Sequence, residues 1–219
     1  KQKSAEGIFH LSYGMVELPT GKMKSREGTV VDADDLVDGM IQIAKEKTES
    51  LGKVGEFSQD QLAELYDTIG LGALKFFLLR VDPKKKMIFN PEESIDFHGF
   101  TGPFIQYTYA RIKSILRKEE LIIQSEKHET LLPLEKEVLY ILEQFPNITL
   151  EAGKELSPSV IANYLFLIAK TFNSFYTEHS IANAETTEKK SLRLQIANMT
   201  SIVLQSGMQL LGIQMPERM

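Results

Sequence analysis

Between residues 103 and 211 the chain runs through four long stretches in which apolar side chains recur every three or four positions: 103–124, 133–145, 158–178 and 188–211. That period lays an apolar stripe along each helix. Such a stripe has to be covered, so short links between helices of this kind impose an antiparallel bundle. The ends of the segments agree. Leu132-Pro133 and Ser157-Pro158 put proline in a first helical turn, where a missing N–H is no loss, the second behind a serine cap. Gly212 follows the last stripe as a C-cap, with Pro216 just beyond.

The first half reads differently. Residues 8–18 (IFHLSYGMVEL) have the composition of a strand and close on Pro19-Thr20-Gly21, with 29–31 (TVV) as a return strand, so GKMKSREG (21–28) is expected to be a hairpin-like loop. Asp34 and Asp35 then open a helix with lysines at its far end, as the helix dipole favours. Ser58 and Gln61 have capping-box spacing before a helix running through ALKFFLLR. Residues 81–94 are polar and proline-bearing and read as a loop or junction. The expected fold is mainly α. The expected units are 1–50, a small α/β remnant; 51–94, a helical connector; and 95–219, the helical bundle. A strand with one hairpin partner is not stable by itself, so residues 1–50 read as the end of a larger domain.

Composition narrows the function. With 25 basic against 30 acidic side chains and a net charge of −5, the chain is not a general coat for nucleic acid, and a polyanion must be met at a local cationic patch. Cysteine is absent, which excludes a disulfide framework, a thiolate zinc cluster and a thiol nucleophile, and suits a reducing cytoplasm. No apolar run approaches the ~20 residues of a membrane span. The histidines, at 10, 98, 128 and 179, lie too far apart in sequence to pair as metal ligands, and no metal site is expected.

Three stretches carry candidate chemistry. Lys22, Lys24 and Arg26, with Ser25 as a possible donor, gather on one glycine-flanked loop. The spacing of a phosphate-cradling P-loop is absent, which leaves either a solvated basic turn or a loop that closes over a polyphosphate. In FTGPFIQYTYARIKSIL (100–116), Phe104, Tyr107 and Arg111 share one helical face and Ile105, Tyr109, Ile112 and Leu116 another. The second set is a core stripe. The first mixes rings with a guanidinium, as in surfaces that grip unpaired nucleotides, although burial of both faces with Arg111 on a carboxylate would also fit. On 157–181, Ile161, Leu165, Ile168, Phe172 and Phe175 form a core stripe, with Tyr176 one turn after Phe172.

These stretches together resemble arginyl-tRNA synthetases of class I. GKMKSREG is similar to the KMSKS signature loop: Lys22-Met23 match its first two letters, while Lys24, Ser25 and Arg26 stand where Ser, Lys and Ser would be. Residues 100–116 and 157–181 resemble two helices of the family's DALR-type anticodon-binding domain, and 192–219 its closing segment down to the terminal PERM. Residues 77–90, with Lys84, Lys85 and Lys86, fit its connector. The resemblance implies a helical anticodon-binding bundle after the end of a Rossmann-type catalytic domain. It assigns Lys22, Lys24, Ser25 and Arg26 to ATP and pyrophosphate. It assigns Phe104, Tyr107, Arg111, Phe172, Tyr176, Arg218 and Met219 to the anticodon loop, although Phe172 also reads as core. The implied activity is ligation of L-arginine to tRNA(Arg) through an arginyl-adenylate, with ATP and Mg2+ as cofactors of the whole enzyme. The HIGH-type signature is not in this sequence, so the chain alone is expected to bind rather than catalyse, as a cytoplasmic monomer without membrane contact. A class I synthetase for cysteine or methionine, and a helical interaction module with no RNA role, are the alternatives.

Overall fold

The computed structural model describes residues 7–19, 32–50, 52, 55, 57–119 and 130–219. Lys22, Lys24, Ser25 and Arg26, the expected return strand at 29–31, and residues 120–124 and His128 all lie outside the described residues.

Helix α1 (Ala33–Ser50) begins where Asp32 Oδ1 accepts from the Asp34 N–H at 3.1 Å. Helix α2 (Gln59–Leu79) starts with the capping box read from the sequence: Ser58 Oγ accepts from Gln61 N and Gln61 Oε1 from Ser58 N. Residues 81–94 are not merely a loop. They hold strand β2 (Met87–Ile88), which pairs in parallel with β1 (Val16–Glu17), and then the short helix α3 (Pro91–Ser94). The strand expected over 8–18 is thus reduced to two paired residues, and Ile8, Phe9 and Tyr13 before it are exposed. Its register is held by bonds to the distant connector, Gly14 N to Pro83 O at 2.7 Å and Phe89 N to Glu17 O at 2.7 Å.

The bundle follows. Helix α4 (Gly102–Lys118) packs on α2 through two glycines: a Cβ at Gly102 would sit 2.6 Å from the Gly72 carbonyl oxygen, so the backbones meet where only hydrogen fits. The segment 133–145, expected as one helix, ends early. It forms α5 (Pro133–Glu143), and a separate helix α6 (Phe145–Glu155) begins at once, because Pro146 has no N–H to continue the ladder of α5 and is favoured in a first turn. Helices α7 (Pro158–Glu178) and α8 (Thr187–Leu210) stand as expected. Ser157 occupies the N-cap of α7, but its hydroxyl meets Ser159 Oγ at 2.9 Å instead of a backbone N–H. Gly212, at φ +67°, closes α8: its N–H reaches Gln209 O and the Ile213 N–H reaches Met208 O, the paired bonds of a Schellman cap.

Two apolar clusters result. The larger draws on α4 to α8 and takes in the predicted stripes, including Ile105, Tyr109 and Ile112 from α4 and Leu165, Ile168 and Phe175 from α7. The smaller joins Met40 and Ala44 of α1 to Leu65, Ile69 and Phe77 of α2, with Phe89 and Ile95. It therefore draws on both sides of the boundaries expected at 50/51 and 94/95. A buried ion cluster pins α8 to α5. Glu135, 0% exposed, receives Lys189 Nζ at 2.7 Å, Arg193 Nε at 3.0 Å and the Leu132 N–H at 2.8 Å.

The chain after α8 folds back. Ile213 is buried, Lys75 Nζ donates to Gly212 O at 2.8 Å, and Gln106 Nε2 donates to both Thr68 O and Gln214 O. Glu217 then takes Lys113 on its carboxylate and Arg117 on its carbonyl. Among the described residues no helix is long and apolar enough to cross a membrane.

Candidate nucleic-acid interface

Helix α4 carries four cations, Arg111, Lys113, Arg117 and Lys118, and no acidic residue. They divide round the helix: Lys113 and Arg117 turn to Glu217 of the folded-back end, while Arg111 lies on the face of Phe104 and Tyr107. Arg111 is half-buried. The guanidinium carbon lies 4.9 Å from the Tyr107 ring centre, one turn back on α4, and 5.3 Å from that of Tyr176 on α7. Both distances are within cation–π range. Arg111 Nη1 donates to Asn173 Oδ1, so the partner across the bundle is an amide where a carboxylate was the alternative. Tyr107 is half-buried and Tyr176 is 37% exposed, leaving this arginine and its two rings at the surface.

The other expected residues divide. Phe104 is half-buried and leans on Phe166, ring centres 5.4 Å apart, at the edge of the larger cluster. Phe172 departs from the anticodon-loop assignment and fits its other reading, as core. It is 0% exposed, inside the larger cluster against Phe175, and a ring with no accessible face cannot stack on a base. One helical turn separates Phe172 from Tyr176, and the rotation of α7 turns the first inward. Arg218 is exposed at the rim of a concavity of about 370 Å³ between the first turns of α2 and the folded-back end. Met219 packs partly buried against the smaller cluster, to which Phe97 also belongs; the Phe97 and Tyr107 ring centres are 6.4 Å apart. The end of the chain is thus tethered on the side of α4 that adjoins α2. Lys84, Lys85 and Lys86 are exposed in the turn before β2.

Two residues that the sequence reading did not single out belong to this site. Asn173 holds Arg111, and Thr108 holds Asn173. The available signal was polarity out of place. Thr108 interrupts an otherwise ring-rich turn of α4, and Asn173 falls three residues before Tyr176 in the apolar run of α7.

The helical bundle is the fold of an anticodon-binding domain. The family model described as DALR anticodon binding domain matches residues 105–219, and the chain belongs to that family. Its curated relatives are arginine–tRNA ligases. That of Flavobacterium psychrophilum is 53% identical over 215 residues, covering 98% of this chain and 36% of the relative. That of Parabacteroides distasonis is 49% identical over 223 residues, again covering 98% of this chain and 37% of the relative. Among solved structures, the arginyl-tRNA synthetase of Thermus thermophilus superposes with a TM-score of 0.86 at 29% identity, over 96% of this chain and 35% of that one. The enzyme of Plasmodium falciparum has the same fold, with a TM-score of 0.81 at 22% identity over 96% of this chain and 35% of that one. The chain spans a little over a third of the length of the relatives it matches.

Proposed function

We propose that this chain provides the anticodon-reading surface of an arginine–tRNA ligase, an enzyme that converts L-arginine to an arginyl-adenylate with ATP and passes the arginyl group to tRNA(Arg). The observation that carries this reading is the Arg111 guanidinium beside the rings of Tyr107 and Tyr176 at the surface of α4 and α7. Rings at a surface stack on unpaired bases whatever their sequence, and a guanidinium offers a planar fork to phosphate or to a base edge with two acceptors. Phe104 borders that platform, while Arg218 and Met219 extend the surface toward α2. Phe172 acts from beneath, as packing. The relatives' names favour arginine over cysteine or methionine.

Lys22, Lys24 and Arg26, with Ser25 as a donor, are assigned to the ATP side of the reaction. Three cations within one short glycine-flanked stretch of sequence suit the charge that builds on a Mg2+-bound triphosphate as pyrophosphate departs. tRNA(Arg), arginine and ATP are the partners of the whole ligase.

The test is a titration of the 219-residue chain with tRNA bearing an arginine anticodon and with the same tRNA changed at the middle anticodon base, at several salt concentrations. Affinity should fall with rising salt as phosphate contacts are lost, and the changed base should weaken binding by about tenfold or more. Equal affinity for the two tRNAs would sink the arginine assignment. Binding indifferent to salt would remove the RNA role.

A further inference from the structure

Asn173 reaches from α7 across to α4 in two directions. Its Nδ2 donates to Thr108 Oγ1 at 2.8 Å, and its Oδ1 accepts from Arg111 Nη1. Thr108 Oγ1 donates in turn to the Phe104 carbonyl, one turn back on α4, at 2.9 Å. These bonds have one consistent direction. A hydroxyl has a single proton, so with that proton on Phe104 O the Thr108 oxygen meets Asn173 only as an acceptor. The amide must then turn its NH2 toward Thr108 and its oxygen toward Arg111. Flipped, it would aim N–H donors at a guanidinium that is itself all donors. Thr108 is 0% exposed, so water does not compete for the bonds that set this orientation.

We propose that Thr108 and Asn173 are positioning residues of the anticodon surface, a relay that holds the Arg111 guanidinium between Tyr107 and Tyr176 before RNA arrives. The proposal rests on the function proposed above. Arginine is among the side chains richest in rotamers, and one ordered in the free protein has less freedom to lose on binding. A buried threonine then affects RNA affinity without touching RNA, and it does so only through Arg111. A plain strut between α4 and α7 would have no such dependence.

The experiment is a double-mutant cycle in the full chain. Thr108→Val keeps the shape and removes both the proton and the acceptor, Thr108→Ser keeps both, and Asn173→Ala removes the link. Each is combined with Arg111→Ala and titrated with tRNA bearing the arginine anticodon, well below its own thermal midpoint. Thr108→Val and Asn173→Ala should each weaken binding by about three- to tenfold. Thr108→Ser should bind as the unmodified chain does, and in the Arg111→Ala background the losses should vanish. In the free protein, nuclear magnetic resonance should show slow rotation of the Arg111 guanidinium about Nε–Cζ, and fast rotation in Thr108→Val. Loss of affinity undiminished in the Arg111→Ala background, unchanged affinity in folded Thr108→Val, or equally fast guanidinium rotation in both proteins would each overturn the relay. Should Arg111→Ala itself bind tRNA normally, the proposed surface fails, while the rotation measurement still judges the relay.

Discussion

Phe172 and Tyr176 sit one turn apart on α7 and meet opposite surroundings. Phe172 fills the larger cluster with no exposed surface, whereas Tyr176 is 37% exposed beside Arg111. Truncation should separate the two. Phe172→Ala should cost about 3–5 kcal/mol of stability, the usual consequence of emptying a ring-sized core site, measured by denaturant unfolding. Its folded fraction should bind tRNA with nearly normal affinity. Tyr176→Ala should leave stability within about 0.5 kcal/mol, as for surface changes generally. It should weaken tRNA binding by about 1–3 kcal/mol, the range of one base–ring stack, and Tyr176→Phe should keep most of that affinity. If the alanine variant binds as well as the unmodified chain, Tyr176 does not stack on RNA.

At the level of elements, α5 and α8 are held together by charge as well as by apolar contact. Arg193, 1% exposed, meets Glu135 through Nε, the Ser180 carbonyl through Nη1 at 2.7 Å and Glu185 through Nη2 at 2.8 Å. It thereby ties the turn after α7 to both helices. Burial pushes the Glu135 carboxyl up, but the hydrogen bonds from Lys189, the Leu132 N–H and Arg193 outweigh it and hold the group below the ordinary glutamate range. A carboxylate depressed in the folded state lends stability that is complete above the unfolded glutamate value, about 4.3. That stability is lost as pH falls through the lower folded value. Glu135→Gln should cost about 3–5 kcal/mol at neutral pH, because it leaves two cations facing a neutral amide in the interior. The deficit relative to the unmodified chain should shrink as the pH of a urea titration is lowered below about 4. A constant deficit down to pH 3 would show that the carboxylate charge contributes nothing.

Across the whole molecule, the folded-back end links the bundle to the α1–α2 layer. Lys75, Gln106, Lys113 and Arg117 each hold part of it, and Met219 joins the smaller cluster. Removing residues 213–219 exposes apolar surface that Ile213, 4% exposed, helps to seal. The expected loss is roughly 2 kcal/mol, a drop of about 4–8 °C in thermal midpoint for a chain of this size. Amide exchange should place α1 in the slow unit with α2, since Met40 and Ala44 are buried against it, and leave 7–13 fast because those residues are exposed and outside regular structure. Fast exchange throughout α1 would put the stability boundary at 50/51, where composition alone suggested it.

Local pattern was enough to read α2, α7 and α8, the capping box at Ser58, the glycine cap at 212 and the core stripes of α4 and α7. Period, caps and turn chemistry act within a few residues, and the sequence displays them directly. The grouping of Tyr107 with Arg111 was likewise legible, since one helical turn relates them. The parallel pairing of β1 with β2 joins residues about seventy positions apart and left no local mark. The choice between the two readings of Phe172, core or anticodon ring, and the meeting of Asn173 with Thr108 depend on how α7 is rotated against α4. That rotation is set by side chains from several helices filling one interior together, so it becomes definite only when the whole bundle closes.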